Sequence, residues 1–175
     1  MFSCFGESRD STRLLHEATF HQLHGNSLIR VSRSEVCGGR LINLIEAPLV
    51  GEHLSFSSKV EFLGSCSKHL PLIDFHCPES TDNDRLVSAV CKQLFHGATL
   101  VFTSGESYHA IGLELLDEVG FREFLTRSIF FAPIFDTRYV AHQLLEGRCA
   151  LRLSKSENKP KRPSLKFIVS PDTVK

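Results

Sequence analysis

A Ser-Gly turn that returns a histidine along a neighbouring strand is the feature that most constrains how this chain can fold. Residues 104–109 read Ser-Gly-Glu-Ser-Tyr-His and lie between two apolar runs, residues 99–103 and 110–113. Apolar runs of this length joined by Ser and Gly are typical of a β-hairpin. Such a turn can place an imidazole and backbone N–H groups beside one anion. An aspartate upstream, Asp74, and another downstream, Asp136, suggest a site for metal and triphosphate.

Length and composition indicate one folded domain with a real core. The chain has 175 residues, of which 42% are hydrophobic and 23% are charged, as is ordinary for a globular protein. Lys and Arg together number 20, and so do Asp and Glu. Because these charges balance, no overall field attracts nucleic acid, and any such affinity would come from a local patch.

Cysteine usage and hydropathy predict the cellular setting. Six cysteines are scattered along the chain with no recognisable secretory leader, which favours reduced thiols in a cytoplasmic protein. The longest apolar stretch, residues 129–135, is too short to span a bilayer and contains Pro133. We therefore expect a soluble cytoplasmic protein without a membrane segment.

Residues 1–70 are predicted to form an N-terminal α/β extension that packs on the rest of the domain. Their best helical segment is residues 10–23. An apolar run over residues 40–46 predicts a strand, and partial alternation over residues 53–62 predicts a half-buried strand.

Residues 71–175 carry sharper signals, in the order β-α-β-β-α-β-α-β. The predicted elements are a strand at 72–76, a helix capped by Thr81 or Asp82, the hairpin strands, a helix at about 115–127, a strand at 128–135, a helix at 136–146 and a strand at 149–153. Residues 165–169 are a candidate for one more strand after this series. The first six elements match the split βαβ, ferredoxin-like arrangement of an antiparallel sheet backed by two helices. The predicted fold class is therefore α+β.

The acidic residues and the turn fit the needs of polymerase-type nucleotidyl transfer. That reaction uses carboxylates to hold two divalent ions, and cationic or N–H donors to hold the triphosphate. Asp74 and Asp136, each at the end of a predicted strand, suit the first role. Ser104 and His109, across the turn, suit the second.

The order of these segments resembles the archaeo-eukaryotic primase superfamily, the primase-polymerases, over about residues 70–169. That family carries Asp-x-Asp or Asp-x-Glu at a strand end, then Ser-x-x-His or Ser-Gly-x-x-x-His, then a hydrophobic residue before Asp, and finally an Arg-rich strand with a Ser or Gly turn. The matching segments here are Asp-Phe-His at 74–76, Ser-Gly-Glu-Ser-Tyr-His at 104–109, Phe-Asp at 135–136 and Leu-Arg-Leu-Ser-Lys-Ser at 151–156.

The resemblance implies an RRM-like palm at residues 71–175, which agrees with the ferredoxin-like order. It implies that Asp74 and Asp136 are the catalytic acids and hold Mg²⁺ or Mn²⁺ if the protein is active. It also implies that a nucleotide, or the end of a DNA or RNA strand, is the ligand. The nucleotide contacts that it implies are Ser104, Gly105, His109 and Arg152.

The first motif departs from the family pattern, because Asp74 is followed by His76 where a second acid should stand. A neutral imidazole is a poor ligand for Mg²⁺, although Mn²⁺ accepts nitrogen, so the expected metal ligands are Asp74, His76 and Asp136. Losing one negative charge weakens a two-ion site. We therefore predict an accessory domain that has a protein partner and binds a nucleotide or a nucleic-acid end, with weak or lost nucleotidyl transfer.

Three other functions remain open. The chain could be an active Mn²⁺-dependent primase or polymerase. It could be a protein-interaction scaffold in a multi-component defence or mobile-element system. It could also be a small metallohydrolase that uses Asp74, His76, His109 and Asp136. Asp136 could simply cap a helix, and the Ser-Gly pair could be only a hairpin turn.

Two further patterns contain residue types that bind ligands. Cys66 and His69, followed by the adjacent His76 and Cys77, have the residue types of a zinc site, but an adjacent second pair does not suit one zinc ion, so zinc is not expected. A basic tail is a candidate contact for a nucleic-acid backbone. Its cationic residues are Lys155, Lys159, Lys161, Arg162 and Lys166.

Overall fold

Two antiparallel sheets carry the strands of this protein. A computed structural model describes residues 14–22, 25–46, 53–62 and 67–171. The elements are, in chain order, β1 Leu14–Gln22, β2 Gly25–Ser32, α1 Arg33–Cys37, α2 Arg40–Glu46, β3 His53–Phe62, β4 Lys68–His69, β5 Leu72–Asp74, α3 Thr81–Leu94, β6 Thr99–Thr103, β7 Tyr108–Gly112, α4 Glu118–Ser128, a 3₁₀ turn Ile129–Phe131, α5 Thr137–Glu146, β8 Ala150–Arg152 and β9 Ser164–Val169.

The second sheet, in the order β5-β7-β6-β9, is the palm sheet. Ile73 pairs with Ala110, which pairs with Val101 across β7 and β6. Directly opposite residues share a face of a sheet. All three are fully buried, in one cluster with the apolar faces of α3 and α4. The helices therefore cover this face of the sheet.

The strand order agrees with a ferredoxin-like arrangement in which a single β-bridge stands in place of the fourth strand. Phe135 pairs with Phe75 beside β5, at the edge where the fourth strand of that arrangement would lie. The strand β9 occupies the opposite edge, beside β6. The predicted fold class, an α+β domain with an RRM-like sheet, is confirmed.

The first sheet has the order β2-β1-β3-β4, and β8 also pairs with β3. In that pairing Ser55 lies opposite Arg152. The strand β8 comes from the part of the chain predicted to be the palm, whereas β3 comes from the predicted extension. The pairing joins the two parts, and the boundary at residue 70 stays a prediction.

Three predicted elements were wrong in type. The predicted helix at residues 10–23 is the strand β1 where the structure describes it, because β1 is hydrogen-bonded to strands on both sides and this pairing overrides local preference. Residues 1–13 and 23–24 lie outside the described residues. The predicted strand at 128–135 is instead the end of α4, a 3₁₀ turn over Ile129–Phe131 and a turn that leads to the single bridge of Phe135, and Pro133 has no N–H to give to a ladder.

The predicted strand at residues 40–46 is the helix α2. Leu41, Leu44 and Ile45 have the i, i+3, i+4 spacing of one helical face, which the apolar run concealed. They form a small cluster with Leu54 of β3, apart from the main core. The packing partner belongs to another element, β3, so the local sequence did not show that a helix was needed.

The cap of α3 also differs from the prediction. Ser80, rather than Thr81 or Asp82, accepts the backbone N–H of Asn83 at 3.1 Å. The buried Tyr108 reaches the same helix end, where its hydroxyl donates to Asp84 Oδ1 at 2.7 Å and accepts from the Ser80 N–H at 3.0 Å. The residue before His109 thus fixes α3 to β7.

His69 joins the first sheet to the palm helices. Its ring is 1% exposed and stacks on Phe121 of α4 with a centroid distance of 4.2 Å. Its Nδ1 lies 3.3 Å from Ser58 Oγ, and its Nε2 lies 3.2 Å from Glu118 Oε2. These contacts use both ring nitrogens. Cys66, which precedes His69 in the zinc-like pattern of the sequence, lies outside the described residues.

Among the helices that the structure describes, none is both long and apolar enough to cross a membrane.

We expect His69 to make stability depend on pH. Burial lowers its pKa below the ordinary value of 6.5, so below about pH 6.5 the unfolded chain takes up the proton more readily than the folded chain. The stability from neutral His69 is therefore present above that pH and is lost as the pH falls, by at most about 1.4 kcal/mol per pH unit. Urea unfolding between pH 7 and pH 5 should show a smaller loss in His69→Gln than in the native protein. Parallel pH profiles would contradict this assignment.

Candidate functional site

The predicted site residues of β5 and β7 lie in one row across the palm sheet. Asp74 pairs with His109, and His109 pairs with Phe102 of β6. This row is one position away from the buried row of Ile73, so its side chains point to the opposite face. The sheet register thus brings Asp74 and His109 together on the face that the helices leave uncovered.

Asp136 extends this row at the edge of the sheet. Phe135 bridges Phe75 in antiparallel fashion, so the next residue, Asp136, lies opposite Asp74 on the same face. Asp136 has extended backbone angles, φ −75° and ψ 110°. Its charge is one of the influences that raise the pKa of Asp74. The two predicted acids are therefore neighbours.

A cleft of about 320 Å³ lies over the row, between the palm face and the strands β3 and β8. Its walls include Asp74, Ser104, His109, Arg152 and Lys159. Five residues proposed from the sequence therefore meet at one cleft. Asp136 and His76 are not among its lining residues.

Asp74 is a carboxylate in a partly desolvated position. Its side chain is 42% exposed at the cleft, but the surrounding walls remove enough water to raise its pKa to about 6. Lys159 opposes this shift most strongly, and His76 and Arg152 oppose it to a smaller extent. At neutral pH Asp74 is still mostly ionised.

His109 is a neutral imidazole at neutral pH. Its side chain is only 9% exposed, and burial, with a smaller effect of Arg152, lowers its pKa to about 4. Its Nε2 lies 3.5 Å from Asp74 Oδ1. Because the ring is uncharged, this contact is not a salt bridge, and an Nε2–H could donate to Asp74 or to a bound oxygen.

The turn between β6 and β7 is held by its own hydrogen bonds. The Ser104 N–H donates to Ser107 O at 2.9 Å, and the Ser107 N–H to Ser104 Oγ at 3.3 Å. The Gly105 N–H donates to Thr103 Oγ1 at 3.2 Å. Phosphate binding by these N–H groups would need the turn to rearrange, so the assignment of Ser104 and Gly105 to nucleotide binding stays a prediction.

Gly105 is required by both conformation and space. Its φ of +99° lies in a region that side chains rarely adopt. A Cβ there would also lie 3.2 Å from the Cβ of Lys161, which crosses the turn.

Arg152 ties the strand β8 to the turn. Its Nη2 donates to Ser104 O at 2.8 Å, and its Nη1 donates to Ser154 O at 2.5 Å and Lys161 O at 2.9 Å. Desolvation lowers its pKa from the usual value, and Asp74 opposes that shift. Arg152 therefore shapes the cleft and contributes positive charge to it.

Residues 155–162, here called the strap, run from β8 past the turn towards β9. Lys159 Nζ forms an ion pair with Glu106 of the turn, and Arg162 Nη1 lies 3.6 Å from Glu46 Oε1. Lys155 and Lys161 are exposed. The strap thus carries four of the five cationic residues of the basic tail.

Lys166 lies apart from the strap, on the helix side of the palm. Its Nζ is 2.7 Å from Asp84 Oδ1 and 5.0 Å from the centroid of the Tyr108 ring. It therefore supports α3 rather than the cleft.

Asp136 also caps the helix α5, which is the structural role that the sequence left open for it. Its Oδ1 accepts from the Arg138 N–H at 2.9 Å, and Oδ2 lies 3.4 Å from Arg138 Nη2.

His76 is exposed. Within the described part of the chain, no three His, Cys, Asp or Glu side chains are arranged to hold one metal ion. The assignment of Asp74, His76 and Asp136 to metal binding stays a prediction.

Sequence reasoning missed one wall of the cleft. Ser55 of β3 and Gln143 of α5 line it, and Gln143 Oε1 accepts the Ala150 N–H at 3.1 Å. Ser55 reaches the cleft because β3 pairs with β8, almost a hundred residues later. Nothing in the local pattern around residue 55 could have indicated that pairing.

Comparison with known proteins gives one family. The family model described as archaeo-eukaryotic primase 1D-like matches residues 40–164, more than two thirds of the chain. The matched segment contains every cleft residue named above. No curated protein and no solved structure matches the chain.

We expect Lys159→Met to raise the pKa of Asp74 above its value of about 6, because Lys159 is the strongest of the charges that lower it. The carboxyl carbon of Asp74, followed by NMR during a pH titration, reports this directly. Lys155→Met, which removes the same charge from the strap outside the cleft, should leave the titration unchanged. Equal shifts in both variants would contradict the position assigned to Lys159.

Proposed function

This chain belongs to the archaeo-eukaryotic primase 1D-like family, and we propose that it binds the triphosphate of a nucleotide, or the phosphate end of a nucleic acid, with weak or no nucleotidyl transfer. The observation that carries this proposal is the row of Asp136, Asp74 and His109 beside a cleft that contains Arg152 and Lys159.

The cationic side of the cleft suits a polyanion. Arg152 and Lys159 each act on the charge of Asp74, so both lie close to the floor of the cleft. Guanidinium and ammonium groups make strong, charge-assisted hydrogen bonds to phosphate oxygens. The neutral ring of His109 can add one uncharged donor, which orients an oxygen without requiring a proton from solvent.

The acidic side does not fit the two-ion centre of a polymerase. Such a centre collects positive charge with several carboxylates, whereas this row has two, and Asp136 is already hydrogen-bonded to Arg138. His76 stands where a second acid of the first motif is expected. If one Mg²⁺ or Mn²⁺ enters with a nucleotide, the residues available to it are Asp74, Asp136 and, for Mn²⁺, His76.

The residues of the chain therefore bind and orient rather than catalyse. Arg152 holds the turn in place through Ser104 O, and Lys159 faces the ligand from the strap. A domain that binds without turnover suits an accessory component of a larger assembly, which has a protein partner. The exposed strap residues Lys155 and Lys161 extend the cationic surface for a nucleic-acid backbone.

An active Mn²⁺-dependent primase or polymerase is the second candidate. One observation favours it: the bridge between Phe75 and Phe135 sets Asp74 and Asp136 opposite each other on the same face. A shared ion would draw both carboxylates towards itself and would compete with Arg138 for Asp136.

We expect a nucleoside triphosphate to bind more weakly to Lys159→Gln than to the native protein, by about tenfold, because a charge-assisted contact is lost. Isothermal titration calorimetry measures the affinity. Lys155→Gln removes the same charge from the strap outside the cleft and should change the affinity little. No binding to the native protein would refute the proposal.

We expect no incorporation of labelled nucleotide on primed or unprimed DNA with Mg²⁺ or Mn²⁺ above the level of an Asp74→Asn control. Asp136→Asn is the second control, because asparagine still caps α5 while it removes the charge. Incorporation by the native protein that disappears in both variants would establish the active alternative instead.

A further inference from the structure

Glu106, at the centre of the Ser-Gly turn, has no part in the function proposed above. Its side chain is 67% exposed, and its Oε2 forms an ion pair with Nζ of Lys159 on the strap. The strap presents Lys159 at a tight turn, in which the backbone N–H groups of Lys159 and Ser156 each donate to the other residue's carbonyl at 3.0 Å. Turn and strap are therefore joined through a charge that also belongs to the cleft.

The Lys159 ammonium group interacts with two carboxylates, those of Asp74 and Glu106. It lines the cleft with Asp74, and its charge is the strongest of those that stabilise the Asp74 carboxylate. Its ammonium group also contacts Glu106 at the rim. An ammonium group is a compact charge with three donors, so the oxygens around it compete for the same few hydrogen bonds.

We propose that Glu106 competes with a bound polyphosphate for Lys159 and thereby sets the affinity of the cleft. This inference rests on the proposed function. A phosphate chain that enters the cleft takes over the Lys159 ammonium group, and Glu106 is released into solvent. The Glu106 carboxylate lowers the affinity because it occupies the ammonium group that a phosphate oxygen would otherwise bind.

The exchange is physically easy because the ion pair is exposed. Exposed pairs between lysine and glutamate change an equilibrium by only about two- to fivefold. Phosphate oxygens carry more charge than one carboxylate and form stronger charge-assisted hydrogen bonds. A polyphosphate can therefore displace Glu106, whereas the loss of Glu106 should improve binding by a similar small factor.

The strap contains a residue that serves as a matched control. Glu157 is an exposed glutamate on the strap, two residues from Lys159, with the same charge as Glu106. The carboxylate that Lys159 Nζ contacts is that of Glu106. Glu106→Gln and Glu157→Gln thus change the net charge equally near the same lysine but differ in the ion pair.

The test measures the affinity for inorganic tripolyphosphate by isothermal titration calorimetry, with the full chain at low salt. Glu106→Gln should bind about two- to fivefold more tightly than the native protein, and Glu157→Gln should bind like the native protein. In a Lys159→Gln background, Glu106→Gln should lose most of its effect, because the two changes act on one contact.

Two results would overturn the inference. One is equal affinity of Glu106→Gln and Glu157→Gln, and the other is an effect of Glu106→Gln that persists without Lys159, which would indicate general repulsion only. In either case the native protein still binds tripolyphosphate, so the proposed function stands. If neither the native protein nor Glu106→Gln binds tripolyphosphate, the proposed function and this inference both fail.

Discussion

The antiparallel register between β5 and β7 is the constraint on which the rest of the site depends. Because side chains alternate between the two faces of a strand, one register decides both faces. Pairing Ile73 with Ala110 builds the core under the helices, and it necessarily sets Asp74 beside His109 on the other face. A slip by one residue would bury the acid and expose the core. The stability of the palm and the geometry of the cleft therefore both depend on this one strand pairing.

Desolvation then gives the paired residues their chemical character. Asp74 and His109 are shifted in opposite directions, with pKa values of about 6 and about 4, because burial disfavours the charged form of each. At neutral pH the pair is an anion beside a neutral ring, with Arg152 and Lys159 as the cations of the cleft. This charge pattern suits a phosphate ligand better than it suits the collection of two metal ions, since one of the two acids is already engaged by Arg138.

The accuracy of prediction from sequence followed how local each interaction is. The hairpin around Ser104 and the helix α3 were predicted in type because turn chemistry and apolar spacing act over a few residues. The strand β1 and the helix α2 were predicted wrongly, because the pairing of β1 with β3 and the packing of α2 on Leu54 of β3 are tertiary contacts that local residue patterns do not indicate. In the candidate site, the sequence indicated Asp74, His109 and Arg152 but missed Ser55, which only the pairing of β3 with β8 brings to the cleft.

The sequence by itself determined that a Ser-Gly turn returns a histidine along the neighbouring strand, since alternation and turn propensity are local properties of the chain. The tertiary structure decided what surrounds that turn. It set Lys159 against Glu106, it used Arg152 to hold the carbonyl of Ser104, and it closed the cleft with β3. These contacts join residues separated by tens of positions, and their formation depends on how whole strands pack. A local pattern of residue types does not specify that packing, so these contacts can be identified only in the folded chain.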